Sequence, residues 1–175
     1  MNDVRGRIVE DLVSGVRYVE AALNDERRQD VPSEATPAVA WLVEGLAELV
    51  DGRSVRPAEV LFIPVLQLTA DYLEAPGALV AFDEVERALR VAVMDLGDGQ
   101  APGVERRSPM LVAAVHLLDM VDSRRVVEEP CSPDIIWALQ AAAKALRAAR
   151  RADVAAQGER ALAEVFQQSR FKAGR

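Results

Sequence analysis

The feature that most constrains this chain is a run of nine residues, 60–68, in which only Gln67 is polar. A helix that is apolar on every side has to be buried on every side. A buried strand is the alternative, because Val, Phe and Ile favour strands. The apolar pattern continues to Glu74, which is too long for a typical strand, and Pro57 followed by Glu59 is typical of a helix start. The sequence therefore predicts a central buried helix over residues 57–74.

Apolar residues recur every three or four positions along most of the chain, which is the spacing of amphipathic helices. Breaks fall in residues 24–34, at Pro76-Gly77 and in the glycine-rich stretch 97–103. This pattern predicts an all-α, single-domain bundle of about seven helices over residues 1–175. Residues 150–158 fit either one long helix or a corner, and the count of seven includes a corner there.

Two parts of the chain resemble each other. Residues 49–53 match residues 120–124 at an offset of 71, and eleven of the thirty-eight residues 57–94 are identical at an offset of 73. Shared Ala and Leu content can produce such matches, but the ungapped stretch and the matched helix starts favour an internal duplication. We expect an N-terminal helix, 1–24, followed by two three-helix units, 36–96 and 108–170. The central helices of the two units, 57–74 and 133–150, should meet near a pseudo-twofold axis.

Charge is distributed unevenly along the chain. The net charge is −7, which argues against nucleic acid or an anionic membrane as a partner. Residues 1–100 carry nine Lys/Arg and nineteen Asp/Glu, giving −10, whereas residues 101–175 carry twelve and nine, giving +3. Solvated helix faces explain such a distribution, but the two parts can also attract each other within one molecule or between copies.

The cysteine content and the leader pattern bear on the compartment. Cys131 is the only cysteine, so no internal disulfide can form, and no secretory apolar region follows Met1. These features predict a reducing, cytoplasmic location. Cys131 precedes the predicted helix cap Ser132, and we expect a neutral, partly buried thiol there.

Catalytic motifs, metal-ligand sets and cofactor fingerprints are absent from the sequence, so we expect no cofactor and no metal. The candidate catalytic residues are His116, the only histidine, and Asp119, which lies three residues further on and can share a helix face with it. An isolated histidine beside a core is ordinary, and a catalytic role would need Glu44, His116 and Asp119 to converge.

Two groups of residues are candidates for binding. Lys144, Arg147 and Arg151 share one helix face, which can hold an acidic partner or can simply be a solvated turn. Large aromatic residues and one irregular proline mark a pocket or an interface, and this second group comprises Trp41, Phe62, Pro64 and Trp137. Pro64 stands either inside a kinked helix or at a late helix start near Ile63.

These observations favour a non-catalytic helical protein that binds another protein or assembles with itself, with a homodimer as the expected state. One alternative is a small-molecule-binding domain with a pocket between the two central helices. A second alternative is an enzyme that uses carboxylates and His116.

Overall fold

The computed structural model describes residues 2–29, 33–98, 108–125 and 130–173, and six helices account for most of them. No strand occurs in these ranges, so the predicted all-α class is confirmed. The helices are α1 (Asn2–Arg27), α2 (Thr36–Val50), α3 (Pro57–Glu74), α4 (Phe82–Asp98), α5 (Pro109–Ser123) and α6 (Pro133–Ala173).

The prediction of about seven helices is wrong by one, because residues 150–158 continue a single helix, α6, of 41 residues. Alanine is the strongest helix former, and Ala152, Ala155 and Ala156 occupy the segment where a corner was expected. Gly158 alone costs a helix only about 1 kcal/mol relative to alanine. Every residue from 157 to 170 is exposed, so the C-terminal part of α6 extends past the core.

Four helices form a row in the order α1, α6, α3, α4, in which each helix packs against the next. The helices α2 and α5 pack against each other and cover one side of this row. We call the other side of the row, which faces away from α2 and α5, the outer face. The hydrophobic core lies between the row and the α2–α5 pair, and it includes Leu42, Leu46, Phe62, Leu117 and Leu139.

The helix contacts are symmetric in the following sense. If the labels α1, α2 and α3 are exchanged with α4, α5 and α6, the set of helix pairs that pack against each other stays the same. Helix α1 packs against α2 and α6, and α4 correspondingly packs against α5 and α3. Seven of the eight buried residues of α3, from Phe62 to Leu73, have buried counterparts 73 residues later in α6. Buried positions of α2 recur in α5 in the same way, 71 residues later, from Ala38 to Leu49.

This pattern corrects the predicted boundaries of the repeat. Helix α1, which was expected to stand outside two units at 36–96 and 108–170, has α4 as its counterpart. The sequence Val-Glu-Ala-Ala-Leu at 19–23 in α1 matches Val-Glu-Arg-Ala-Leu at 85–89 in α4. The earlier match of residues 86–89 to 159–162 instead falls on the exposed extension of α6. In the contact pattern, α1–α3 therefore correspond to α4–α6.

The central helix α3 forms where the apolar run predicts it, but it is not buried on every side. Phe62 and Leu66 are fully buried, whereas Leu61 is 60% exposed and Pro64 is also exposed. The reason is that α3 lies within the row, so its outer face has no helix above it. No helix in the described ranges combines the length and the apolar character needed to cross a membrane.

A buried ion pair fixes the start of α3. Glu59 is fully buried and accepts two hydrogen bonds from Arg53, at 2.7 and 2.8 Å, and one from the backbone N–H of Arg56 at 2.9 Å. Arg53 also bonds to Glu48 at 3.0 Å, and the hydrogen bond to Glu59 raises the pKa of Arg53 above its ordinary value. Because α3 begins at Pro57, the alternative of a late start near Ile63 is wrong, and Pro64 stands inside the helix.

Candidate functional site

A groove with a volume of about 1240 Å³ lies on the outer face, between α1, α6 and α3. It is an open cleft rather than an enclosed cavity. Its lining residues are Asp11, Ser14, Gly15, Tyr18, Val60, Ile63, Pro64, Trp137, Gln140, Ala141, Lys144, Arg147, Arg150 and Arg151.

Contacts between α1 and α6 set one wall of the groove. The two helices run antiparallel, since Arg5 pairs with Glu159 at 2.9 Å and Asp11 pairs with Arg151 at 3.6 Å. Gly15 lies where the two helices approach closely, because a Cβ atom there would stand only 3.0 Å from the Cβ of Ala145. Glycine at this position therefore brings α1 close enough to α6 to form a continuous wall.

The second wall is α3, which also runs antiparallel to α6. The backbone N–H of Val55, just before α3, donates to the carboxylate of Asp153 at 2.7 Å. At the other end, the N–H of Cys131 donates to the carbonyl oxygen of Leu73 at 2.9 Å. These two hydrogen bonds hold the start of each central helix against the other helix and bring Pro64 beside Trp137 in the groove.

Four cations from two turns of α6 line the groove: Lys144, Arg147, Arg150 and Arg151. Arg151 is the one that forms an ion pair, with Asp11 at 3.6 Å. The other three form no side-chain hydrogen bond or ion pair with any described residue, and all four are exposed. Like charges at helical spacing repel one another, so an anion bound here would relieve a repulsion that exists in the free protein.

Aromatic and apolar side chains lie next to these cations. Trp137 is 53% exposed and Tyr18 is 46% exposed, and both line the groove with Val60 and Ile63. Proline has no N–H to donate, so the carbonyl oxygen of Val60 lacks its helical partner at Pro64 and stays available as an acceptor. The groove can thus hold apolar groups, negative charges and a hydrogen-bond donor at the same time.

The structure separates the predicted pocket residues into two sets. It brings Pro64 and Trp137 into one groove with the predicted basic face of Lys144, Arg147 and Arg151. Phe62 is fully buried in the core, and Trp41 packs half-buried against the core away from the groove. The sequence argument missed Asp11 and Tyr18, whose contribution depends on α1 packing beside α6. The signal available in the sequence was Tyr18, an aromatic residue on a helix face that is otherwise polar.

The predicted catalytic residues His116 and Asp119 both lie on α5. His116 is half-buried on α5, and neither it nor Asp119 or Glu44 makes a side-chain hydrogen bond or ion pair with a described residue. Among the same residues, no cluster of three or more His, Cys, Asp or Glu side chains could hold a metal ion.

Cys131 lies at the start of α6 and is buried. Burial raises the pKa of its thiol above the ordinary value, and this effect outweighs the opposing field of Arg124. A raised pKa keeps the thiol protonated near neutral pH, where a protonated thiol is a poor nucleophile. The side chain is therefore part of the packing between α6 and the end of α3.

Comparison with known proteins gives no relative for this chain. No protein family matches it, and no curated protein and no solved structure is significantly similar to it. The geometry of the groove is therefore the basis for the functional argument.

Proposed function

We propose that this protein is a non-catalytic binding protein whose groove between α1, α6 and α3 holds an acidic, amphipathic segment of a protein partner. The observation that carries this proposal is a set of three cations without an ion pair to any described residue, beside two exposed aromatic residues; the cations are Lys144, Arg147 and Arg150. Cations supply attraction and register for an acidic chain, and aromatic side chains are the residues that most often dominate binding energy.

The open shape of the groove favours a chain segment as the ligand. Drug-sized molecules are usually bound in clefts that bury most of their surface and present few charged groups. Here the cations extend over two turns of α6 along the outer face, so several separated negative charges are needed to pair with them. A helix that carries Asp or Glu at every third or fourth position has that spacing.

A small anionic molecule is the second candidate, and the position of the groove favours it. The groove lies between the two central helices, α3 and α6, and its cations and aromatic residues adjoin. A molecule that combines a planar ring with phosphate or carboxylate groups would fit this combination of side chains.

Peptide binding tests the proposal. The probe is a synthetic helical peptide with Glu on one face and Leu on the other, and its control replaces every Glu with Lys. We expect the acidic peptide to change the fluorescence of Trp137 and to bind at micromolar concentration. Lys144→Glu with Arg147→Glu should weaken this binding by at least about tenfold. The matched control, Arg27→Glu with Arg160→Glu, reverses two exposed charges outside the groove and should leave binding unchanged.

Three results would count against the proposal: no binding of the acidic peptide, equal binding of the basic peptide, or equal loss in the control variant. ATP serves as the small-molecule probe in the same assay. Binding of ATP with loss in the Lys144/Arg147 variant, together with no peptide binding, would favour the second candidate.

The lone, buried Cys131 supports a proposed cytoplasmic location, since a thiol without a partner suits a reducing compartment. Detection of the protein outside the cytoplasm by cell fractionation would contradict this part of the proposal.

The exchange of contacts between α1–α3 and α4–α6 supports descent of the two units from one duplicated sequence. Two chains that divide the protein at Ala78, between α3 and α4, are expected to assemble when co-expressed, because each unit covers the core face of the other. Failure of the two chains to co-purify would argue against independent units.

A further inference from the structure

The outer face carries a second, smaller groove between α3 and α4, with a volume of about 600 Å³. Its floor is apolar and includes Val65, Leu68 and Val91. Two exposed acids from the first turn of α4, Asp83 and Glu84, stand at its edge, where Arg87 is the one cation among the lining residues. Because α3–α4 is the counterpart of α6–α1, this groove occupies the position equivalent to the basic groove in the other unit.

Charges at equivalent positions of the two central helices are opposite in sign. At the offset of 73, Lys144 of α6 corresponds to Asp71 of α3, and Arg147 corresponds to Glu74. Asp71 and Glu74 are exposed and form no side-chain hydrogen bond or ion pair with any described residue, as is also true of Lys144 and Arg147. The acids of α3 lie near its C-terminal end and those of α4 in its first turn, whereas the basic groove lies beside the N-terminal half of α3.

The outer face also carries exposed apolar side chains. Leu61 is 60% exposed and Trp137 is 53% exposed, and Pro64, about one turn after Leu61 in α3, lines the basic groove with Trp137. An apolar centre with a charged rim is the usual composition of a protein–protein interface. Exposed aromatic and aliphatic side chains near the middle of such a surface are the expected anchors.

From this arrangement we propose that the partner of the basic groove is a second copy of this chain, bound outer face to outer face in a closed twofold dimer. This proposal rests on the proposed function, because it names the acidic segment as the α3–α4 face. A twofold axis that lies in the interface, perpendicular to the line joining the basic and the acidic residues, places the basic residues of each copy opposite the acidic residues of the other. Lys144 and Arg147 of each copy then face Asp71 and Glu74 of the other, so both contacts form at once.

The self-complementary charges distinguish this arrangement from other partners. A row with one sign of charge at both ends would repel a second copy, whereas opposite signs at equivalent positions attract it twice. The apolar centre near Leu61, Pro64 and Trp137 is covered in the same step, which removes exposed apolar surface from water.

Charge-reversal variants of the full chain, measured by multi-angle light scattering at micromolar concentration, test the proposal. Wild-type protein is expected at twice the chain mass of 19.0 kDa. In a dimer of Lys144→Glu with Arg147→Glu, the new acids of each copy would face the acids of the other. In a dimer of Asp71→Lys with Glu74→Lys, the new lysines would face the cations of the other copy. Each variant alone should therefore dissociate, with a dimer dissociation constant raised on the order of 100-fold.

Mixing the two variants in equal amounts is the decisive step, because their reversed faces complement each other and their unchanged faces still match. The mixture should recover the dimer mass, while the control variant Arg27→Glu with Arg160→Glu should remain dimeric throughout. Circular dichroism of each variant before mixing checks that the fold is intact.

A wild-type chain that is monomeric at every concentration would overturn the proposal, as would a mixture of folded variants that stays monomeric. A dimer that survives both reversals would show that another surface mediates it. The peptide experiment separates the two ideas. If the wild type is monomeric and binds the acidic peptide, and the Lys144/Arg147 variant does not bind it, the proposed function stands and only the self-association is removed.

Discussion

The two central helices, α3 and α6, have equivalent places in the row and bury equivalent positions, yet they differ at their starts and on their outer faces. The first turn of α3 contains the buried Glu59, whose counterpart at the offset of 73 is the exposed Ser132, just before α6. Helix α3 ends at Glu74, before Pro76-Gly77, whereas α6 continues to Ala173. The comparison teaches that core packing restricts the inward positions of both helices, whereas their ends and solvent faces are not restricted in this way and differ.

The largest effect is predicted for a substitution that disrupts the start of α3, whereas a substitution at the equivalent position should leave the start of α6 intact. Glu59→Ala leaves Arg53 without its buried partner and frees the N–H of Arg56, so the free energy of unfolding should fall by about 3–5 kcal/mol. Ser132→Ala at the equivalent position removes an exposed hydroxyl and should change it by less than about 0.5 kcal/mol. Urea denaturation of both variants measures the difference, and equal losses would mean that the buried ion pair does not anchor α3.

The middle of the two helices gives an intermediate effect, at Pro64 and its counterpart Trp137. Pro64→Ala restores the hydrogen bond to the carbonyl of Val60 and should raise the free energy of unfolding by about 1–3 kcal/mol. The same substitution removes an acceptor from the groove and should weaken binding of the acidic peptide. Trp137→Phe, at an exposed site, should leave stability nearly unchanged. A lower melting temperature in Pro64→Ala would show that the proline fits its site without strain.

The smallest effect concerns pH and the residue just before α6. Burial raises the pKa of Cys131 in the folded state, so the folded protein binds this proton more tightly than the unfolded chain does. The resulting stability is fully present below the unfolded pKa, near 9.0, and is lost as the pH rises through the higher folded pKa. We expect the free energy of unfolding of the wild type to fall by about 1 kcal/mol or less between pH 8 and pH 10 because of this thiol, and we expect Cys131→Ala to abolish this decrease.

Thermal melts at the two pH values measure that loss in wild type and variant. The residue that corresponds to Cys131 at the offset of 73 is Ala58, which has no ionisable side chain, so the start of α3 should contribute nothing to this pH dependence. A pH dependence that is identical in wild type and Cys131→Ala would contradict the prediction.

The sequence predicted the parts of this fold that depend on local periodicity. The helix at 57–74 and the helix start at Pro133 follow from apolar spacing and from proline at the first turn. The repeat was predicted because similar residues recur 71–73 positions apart, and it stays a prediction. The expected units differ by one helix from the exchange of contacts, since α1 and α4 share only a short matching segment.

The site was predicted residue by residue but not as an arrangement. Pro64, Trp137 and the basic face of α6 were each singled out, yet their meeting in one groove requires the antiparallel packing of α3 and α6 and the approach of α1 at Gly15. Nor does a sequence pattern indicate that Glu59 is buried, because a glutamate in a first helical turn is normally solvated. These features depend on tertiary contacts between residues far apart in the chain, such as Val55 and Asp153.

The exposed extension of α6 has a hydrodynamic consequence. A helix of 41 residues is about 61 Å long at 1.5 Å per residue, about twice the length of the 18-residue α3. A compact chain of this size has a radius of gyration of about 16 Å, and a helix of that length projecting past the core raises both this radius and the frictional coefficient. The monomer should therefore elute from a size-exclusion column earlier than a compact 19.0 kDa protein, and its small-angle scattering should show an elongated distance distribution.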